Sequence, residues 1–424
     1  MMTITTLGEA RFVSPLQRTV SDTLRVPLHL VARPDLPPEE AASAGFELAG
    51  PRAKLFFEPA NVRAGIVTCG GLCPGLNNVI RSLFLELHHA YGVKEVLGFR
   101  DGYRGLDPAR SRPPLRLDVD NVDKIHREGG TLLGTSRGPV DTAIAVDNLI
   151  RLGVNMLFTI GGDGTQRGGN DLFQEARRRG HPLAVVGIPK TIDNDVAYVA
   201  RSFGFLTAVE EAAKALACAH TEAHSVFNGI TVVKLMGRHA GFIAASATLA
   251  SQDVNFCFVP EVPFRLEGPG GFLAALERRV LARAHAVVVV AEGAGQDLLA
   301  SELAAGIDAS GNAKLKDIGP FLCAEIDAHF KARGIEHVLR YIDPSYLIRS
   351  VPADSEDAVQ CDLFARHAVH AAMAGKTGLV IGQVHDAFVH VPIERLVAKT
   401  KRLDPDGPNW SAVLAATGQP ARWE

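Results

Sequence analysis

The chain of 424 residues is poor in several things at once. Aromatic residues make up only 6% of it, with two Trp and five Tyr. Its six cysteines (Cys69, Cys73, Cys218, Cys257, Cys323 and Cys361) form no CxxC pair. That excludes a disulfide framework and a paired-cysteine zinc site, and points to reduced thiols in a cytosol. Excess charge is missing too, since 44 Lys and Arg against 47 Asp and Glu leave −3. No broad field draws a polyanion, so no nucleic-acid partner is expected and any bound anion must be held locally. The most apolar internal stretch, 284–291, is too short to cross a bilayer. The opening MMTITTLGEARFV lacks a basic segment followed by an apolar one. Neither a membrane partner nor a signal peptide is expected, and the expected location is cytoplasmic.

What the chain has instead is glycine, 41 residues of it, and a hydrophobic content of 47%. That balance suits Ala/Val/Leu-rich helices packed on buried strands, and the length suits two domains. Residues 1–60 are punctuated by prolines (PLQRTV, RPDLPPEE) and read as an irregular N-terminal extension with short secondary structure that wraps a surface or a neighbouring subunit. From Arg63 onward, β-branched runs end in glycine-rich turns and give way to helical periodicity. Strands are predicted at 64–69, 94–99, 155–160, 183–188, 229–235, 286–293 and 378–384. Continuously apolar rather than alternating, they read as parallel strands covered by helices on both faces, an α/β fold. Ligands in such sheets bind beyond the carboxyl ends of strands. Nearly every glycine or aspartate cluster here follows directly on one of these runs.

GGLCPGLNNVIR (70–81) leads into a helix predicted to start near Asn77 or Asn78. Its glycines let backbone N–H groups close on a phosphate, with a tightly packed turn as the plain alternative. GGTLLGTSRG (129–138) offers Thr135, Ser136, Arg137 and Gly138, the arginine being a planar fork suited to phosphate oxygens. In GGDGTQ (161–166), Asp163 is a hard oxygen ligand suited to Mg²⁺. PKTIDNDV (189–196) carries two carboxylates two residues apart, on one side of a locally extended chain. Asp193 reads as the base that accepts a substrate hydroxyl's proton and Asp195 as its support. In VVKLMGRHAG (232–241), Met236 and Gly237 suit a sugar, and Arg238 a phosphate or transition-state charge. Glu292 of AEGAG can accept hydrogen bonds from sugar hydroxyls. Tyr346 and Arg349 of YLIR point one way if that segment is a helical turn.

Taken in order, GGLCPGLN, GGTLLGTSRG, GGDGT, PKTIDND, SFGFLTAVEEA (202–212), LMGRHAGF and VPEVPF (259–264) resemble the phosphofructokinase family over about Arg63 to Arg349. The likeness is to the branch with plant and kinetoplastid ATP-dependent enzymes. It implies phosphoryl transfer to the 1-hydroxyl of fructose 6-phosphate. It also implies two Rossmann-like three-layer α/β/α domains with mainly parallel sheets and the active site in the cleft between them. The donor domain would be 61–200 with returning segments about 345–424, and the fructose 6-phosphate domain 201–344.

Carried over by motif, Gly71, Arg137, Gly138, Gly162, Asp163, Gly164 and Thr165 would contact the donor, with Asp163 on Mg²⁺. Thr191, Asp193, Met236, Gly237, Arg238, Glu292, Tyr346 and Arg349 would surround the sugar phosphate. Asp193, Asp195, Arg238 and Gly71 form the expected catalytic set. A homo-oligomer, dimer or tetramer, is implied, with Arg201 as a basic residue that could reach a neighbouring subunit.

Donor choice turns on Gly164 and Lys190. Pyrophosphate users in the family typically carry aspartate at the place of Gly164 and lysine at that of Lys190, whereas plant-like ATP enzymes combine glycine and lysine. The pairing here points to ATP, with pyrophosphate the alternative. GGDGT is shared with NAD kinases and diacylglycerol-type lipid kinases, but those explain neither PKTIDND nor LMGRHAGF. A non-catalytic regulatory subunit is the remaining alternative, against which both Asp163 and Asp193 are present.

Overall fold

The computed structural model describes residues 3–30, 45–299, 306 and 315–423. The chain divides into two compact units. The first comprises Met1–Ile192, Val196–Gly204 and Ser350–Thr400, and the second Asp193–Asp195, Phe205–Arg349 and Lys401–Glu424. The seven predicted strands all form, with ends within two residues of those expected.

Five parallel strands run through the first unit's nine-stranded sheet, in the spatial order Leu379–Val384, Ala184–Pro189, Met156–Gly161, Arg63–Thr68 and Glu95–Gly98. Side chains alternate along them between two cores, as a period of two requires. Ala64, Ile66, Met156, Phe158, Ala184 and Val186 face helices Leu76–Leu85 and Ser355–Met373. Val67, Leu157 and Val185 face helices Thr142–Arg151 and Asp163–Arg178. Burial on both faces is why these strands carry no polar alternation. The helix predicted near Asn77 begins at Leu76, behind Gly75 in the left-handed region at φ 97°, where a Cβ would lie 2.5 Å from the Cys361 sulfur.

The second unit holds a wholly parallel sheet in the order Phe256–Phe258, His285–Ala291, Gly229–Leu235 and Val338–Ile342. Ile230, Val232, Ala286, Val288 and Val290 pack on helices Phe272–Arg283 and Ile318–Ala332. Helices Phe205–His224 and Phe242–Ser251 cover the other face. Among the described residues, no helix is long and apolar enough to cross a membrane.

The described part of residues 1–60 carries short strands and is built into the first unit: Phe46–Leu48 extends the large sheet beside strand Ala387–Pro392, and Phe46, Leu55 and Phe57 enter the core. The RPDLPPEE stretch lies outside the described residues. One expectation needs correction: the expected single return of about 345–424 divides, because residues 401–424 join the second unit. Trp423 packs against Phe256, Phe258 and Phe272, and the Gln419 side chain bonds both the N–H and the carbonyl of Cys257, at 2.7 and 3.1 Å. An amide that pairs an edge strand in this way, beside a buried indole, holds the tail firmly.

A buried charge cluster fastens residue 47 to the C-terminal strands. The Glu47 carboxylate, 5% exposed, meets Arg52 at 2.8 Å, Lys376 at 2.7 Å and the His390 ring at 2.9 Å. Burial opposes its charge, but the hydrogen bonds from His390 and Lys376 outweigh that and hold its pKa well below the ordinary value near 4.5. A lowered native pKa means stability that is present above pH 4.5 and is lost as the pH falls through the native value. Glu47→Gln keeps the shape and leaves two buried cations with the exposed Asp22 carboxylate. It should lower the urea midpoint by an amount equivalent to about 3–5 kcal/mol and flatten the acid limb of the stability profile. An unchanged midpoint at pH 7 would show that the cluster contributes nothing.

Candidate active site

Turns that follow three parallel strands of the first unit converge on Lys190. Strand Met156–Gly161 stops at Gly162, which opens helix Asp163–Arg178 with no side-chain cap, a helix start of the kind whose N–H groups suit an anion. Strand Ala184–Pro189 delivers Lys190, whose N–H donates to the Gly161 carbonyl at 3.0 Å and whose Nζ donates to the Gly71 carbonyl at 2.7 Å. Lys190 is 7% exposed, so its ammonium is a fixed charge at this junction and not a solvated one. The loop 129–138 is zipped onto the same place: Gly70 N–H donates to the Ser136 carbonyl at 3.0 Å, and the Thr135 hydroxyl donates to the Gly70 carbonyl at 2.7 Å. The Arg137 guanidinium then lies beside Gly71, 3.7 Å from where a Cβ would stand.

Gly164 behaves differently from its neighbours. A Cβ there would meet nothing within 4 Å, whereas one at Gly161 would collide with the Thr165 side chain folded over it. Packing therefore demands glycine at 161 and not at 164. The sequence reading gave no role to Gln166, a buried side chain whose Nε2 donates to the carbonyls of Gly161 at 2.9 Å and Ile188 at 3.2 Å, tying the two strand ends together. Its only signal was its place at the end of GGDGTQ. Cys69 is buried and its thiol is pushed up to about 12 by desolvation, so it has no nucleophilic role at neutral pH.

Acceptor-type residues gather at the carboxyl ends of the second unit's strands. After Gly229–Leu235 come Met236, Gly237 and Arg238, after His285–Ala291 comes Glu292, and after Val338–Ile342 comes Asp343. Gly237 has φ 132°, and a Cβ there would lie 2.7 Å from the Ala240 carbonyl, so only glycine makes this turn. The turn aims the Arg238 N–H at Asp193, whose Oδ2 accepts it at 3.2 Å. Burial raises the Glu292 carboxyl above its ordinary range, against the pull of Lys234 and Arg238. Ser345–Ile348 is one helical turn, and the Arg349 guanidinium lies 4.3 Å above the Tyr346 ring, a cation–π contact. Thr191 falls in the first unit, its carbonyl accepting from the Ser202 hydroxyl at 2.7 Å. Arg201, in the first unit, faces Glu356 at 3.6 Å.

Several groups around these loops escaped the sequence reading. Lys234 pairs with Asp317 at 2.8 Å and Asp343 at 3.0 Å. Glu261, quoted only as part of VPEVPF, accepts from Gly241 N–H at 3.1 Å and Leu403 N–H at 2.8 Å. Lys401 N–H donates to the Asp195 carbonyl at 2.8 Å. Nothing in the run KTKRLD distinguishes that lysine from a solvated one.

Residues 63–372 match the family model described as phosphofructokinase. The chain is 50% identical over 380 residues to a Borreliella burgdorferi protein named ATP-dependent 6-phosphofructokinase, covering 88% of this chain and 85% of that one. It is 47% identical over 408 residues to ATP-dependent 6-phosphofructokinase 1 of Arabidopsis thaliana, covering 96% and 85%. The fold is similar to that of a solved pyrophosphate-dependent phosphofructokinase from Marinobacter aquaeolei, with a TM-score of 0.68, 84% of this chain and 91% of that one covered, and 21% identity. With most of its length matched by the family model and relatives near half identical across it, the chain belongs to the phosphofructokinase family.

Proposed function

We propose that this protein transfers the γ-phosphoryl group of ATP to the 1-hydroxyl of fructose 6-phosphate, giving fructose 1,6-bisphosphate. The observation that carries this reading is the Asp193 carboxylate, oriented by the Arg238 N–H at the end of the Gly237 turn. Phosphoryl transfer asks little covalent chemistry of a protein. It needs alignment, cations on the migrating group and a carboxylate to take the hydroxyl proton. Asp193 is that acceptor, with Asp195 supporting the same turn. Met236, Gly237, Glu292, Tyr346 and Arg349 hold the sugar phosphate with Thr191, while Arg238 stabilises developing charge.

On the donor side, the N–H groups from Gly162 to Thr165, with Gly71 and Gly138, cradle phosphates that Arg137 and Lys190 neutralise. Magnesium fits through Asp163: one hard carboxylate at a helix start suits an ion that keeps several waters and shares the donor's oxygens. Among the described residues, no group of three or more His, Cys, Asp or Glu is placed to hold a metal by itself. When bound, the ion spreads the phosphate charge. The names of relatives at 47–50% identity support ATP as donor, as does glycine at 164. A homo-oligomer belongs to the same proposal.

Steady-state phosphorylation of fructose 6-phosphate with ATP and then pyrophosphate, each with Mg²⁺ and with excess EDTA, tests the reading. ATP with Mg²⁺ should support turnover, EDTA should abolish it, and pyrophosphate should give a small fraction of the rate. Faster turnover with pyrophosphate would reverse the donor assignment.

A further inference from the structure

The assigned base sits on a turn with a left-handed residue at its centre. Asn194, between the two aspartates, has φ 57°, a left-handed conformation that costs a non-glycine residue free energy unless its surroundings enforce it. Its side chain is 6% exposed. What meets it is Lys401: Nζ donates to Asn194 Oδ1 at 2.8 Å, and the backbone N–H donates to the next carbonyl, that of Asp195, at 2.8 Å. The ammonium also lies 5.2 Å from the centre of the Phe242 ring, which limits where it can swing. Two residues on, Leu403 N–H donates to Glu261, whose carboxylate also accepts from Gly241 at the end of the loop bearing Arg238. Lys401 and Leu403 thus grip, directly or through Glu261, both loops whose meeting defines the Asp193 to Arg238 hydrogen bond. They lie beyond residue 372, where the family match stops.

We infer that Lys401 is a positioning residue for the phosphoryl-transfer reaction, holding the Asp193–Asp195 turn so that the Asp193 carboxylate stays aligned with the acceptor hydroxyl. The inference rests on Asp193 being the base. Burial lowers the Lys401 ammonium to about 8, against the opposing charge of Asp195, in keeping with a lysine taken from solvent for this purpose. Without Nζ, the buried Asn194 amide loses the Lys401 hydrogen bond and the left-handed turn can relax. A misplacement of about 1 Å at a reacting group costs on the order of 10²-fold in rate.

The test uses Lys401→Met, which keeps the apolar stem, Lys401→Arg, which can still donate to Asn194 and stack on Phe242, and Asp193→Asn in the same series. Both tryptophans of the chain, Trp410 and Trp423, lie in the 401–424 segment, so intrinsic fluorescence reports whether the tail remains docked. Lys401→Met should lose on the order of 10²-fold in kcat while KM for fructose 6-phosphate moves less than about threefold. Its tryptophan emission should match that of the unaltered protein, and Lys401→Arg should recover most of the rate. A kcat within about threefold of the unaltered protein would overturn the inference. So would a red-shifted emission accompanying the loss, because the lysine would then be a structural anchor. Full turnover in Asp193→Asn would remove the base that Lys401 positions, and the inference with it.

Discussion

Asp193→Asn is expected to lose about 10²- to 10⁴-fold in turnover while still binding fructose 6-phosphate. The amide has the shape of the carboxylate and can still accept the Arg238 N–H that orients it, so the loop keeps its form. What disappears is the capacity to take the hydroxyl proton as the new O–P bond forms. The loss should therefore fall on kcat and leave the sugar phosphate's affinity nearly unchanged, a split read by pairing a coupled rate assay with calorimetry. Near-normal turnover would disqualify Asp193 as the base and would send the search to Asp195 or Glu292.

Gly164→Asp is expected to impair ATP use by about 10³-fold and to spare the fold. The substitution is unusually clean, because a Cβ at 164 enters open space and the residue lies in the first turn of helix Asp163–Arg178, where an acidic side chain is favourable. Any effect must come from the donor. A carboxylate about 4 Å from the α-phosphate at an effective dielectric near 20 costs on the order of 4 kcal/mol, which converts to about three decades in affinity. Pyrophosphate has no α-phosphate beyond its two groups and should lose much less. Thermal unfolding measured alongside the two donor assays separates the explanations. Full ATP activity would falsify the steric and electrostatic account of donor choice, and an equal fall with both donors would point to general damage of the phosphate cradle.

The parallel strands were legible because burial on both faces leaves few polar residues in each run and no alternation; AVVVV is strand-like whatever surrounds it. Glycine-rich turns were legible for a related reason, as each follows such a run, where strand ends deliver ligands in this class of sheet. Phe46–Leu48 was hidden. Three residues with a charged glutamate at the centre carry no strand signal, and that glutamate is buried only because Arg52, Lys376 and His390 come to meet it from elsewhere in the chain. The path of the tail was hidden likewise. Residues 401–424 contain no run that names a partner, and the match between Gln419 and the peptide group of Cys257 exists only after both have folded. At the candidate site, residues with a distinctive chemical type were visible one by one. Those that hold them, Gln166, Glu261 and Lys401, were not, because supporting a loop demands a donor or acceptor at the right point in space and leaves no pattern along the chain.

The division of the chain into interleaved segments bears on how the molecule is made. Because residues 401–424 complete the unit formed by 193–195 and 205–349, a nascent chain in which residues 401–424 are still inside the ribosome must wait with the Phe256–Phe258 edge uncovered. No single cut yields two independent halves, so a fusion or split-protein reporter spliced in after Thr400 would separate the second unit from its own closing segment.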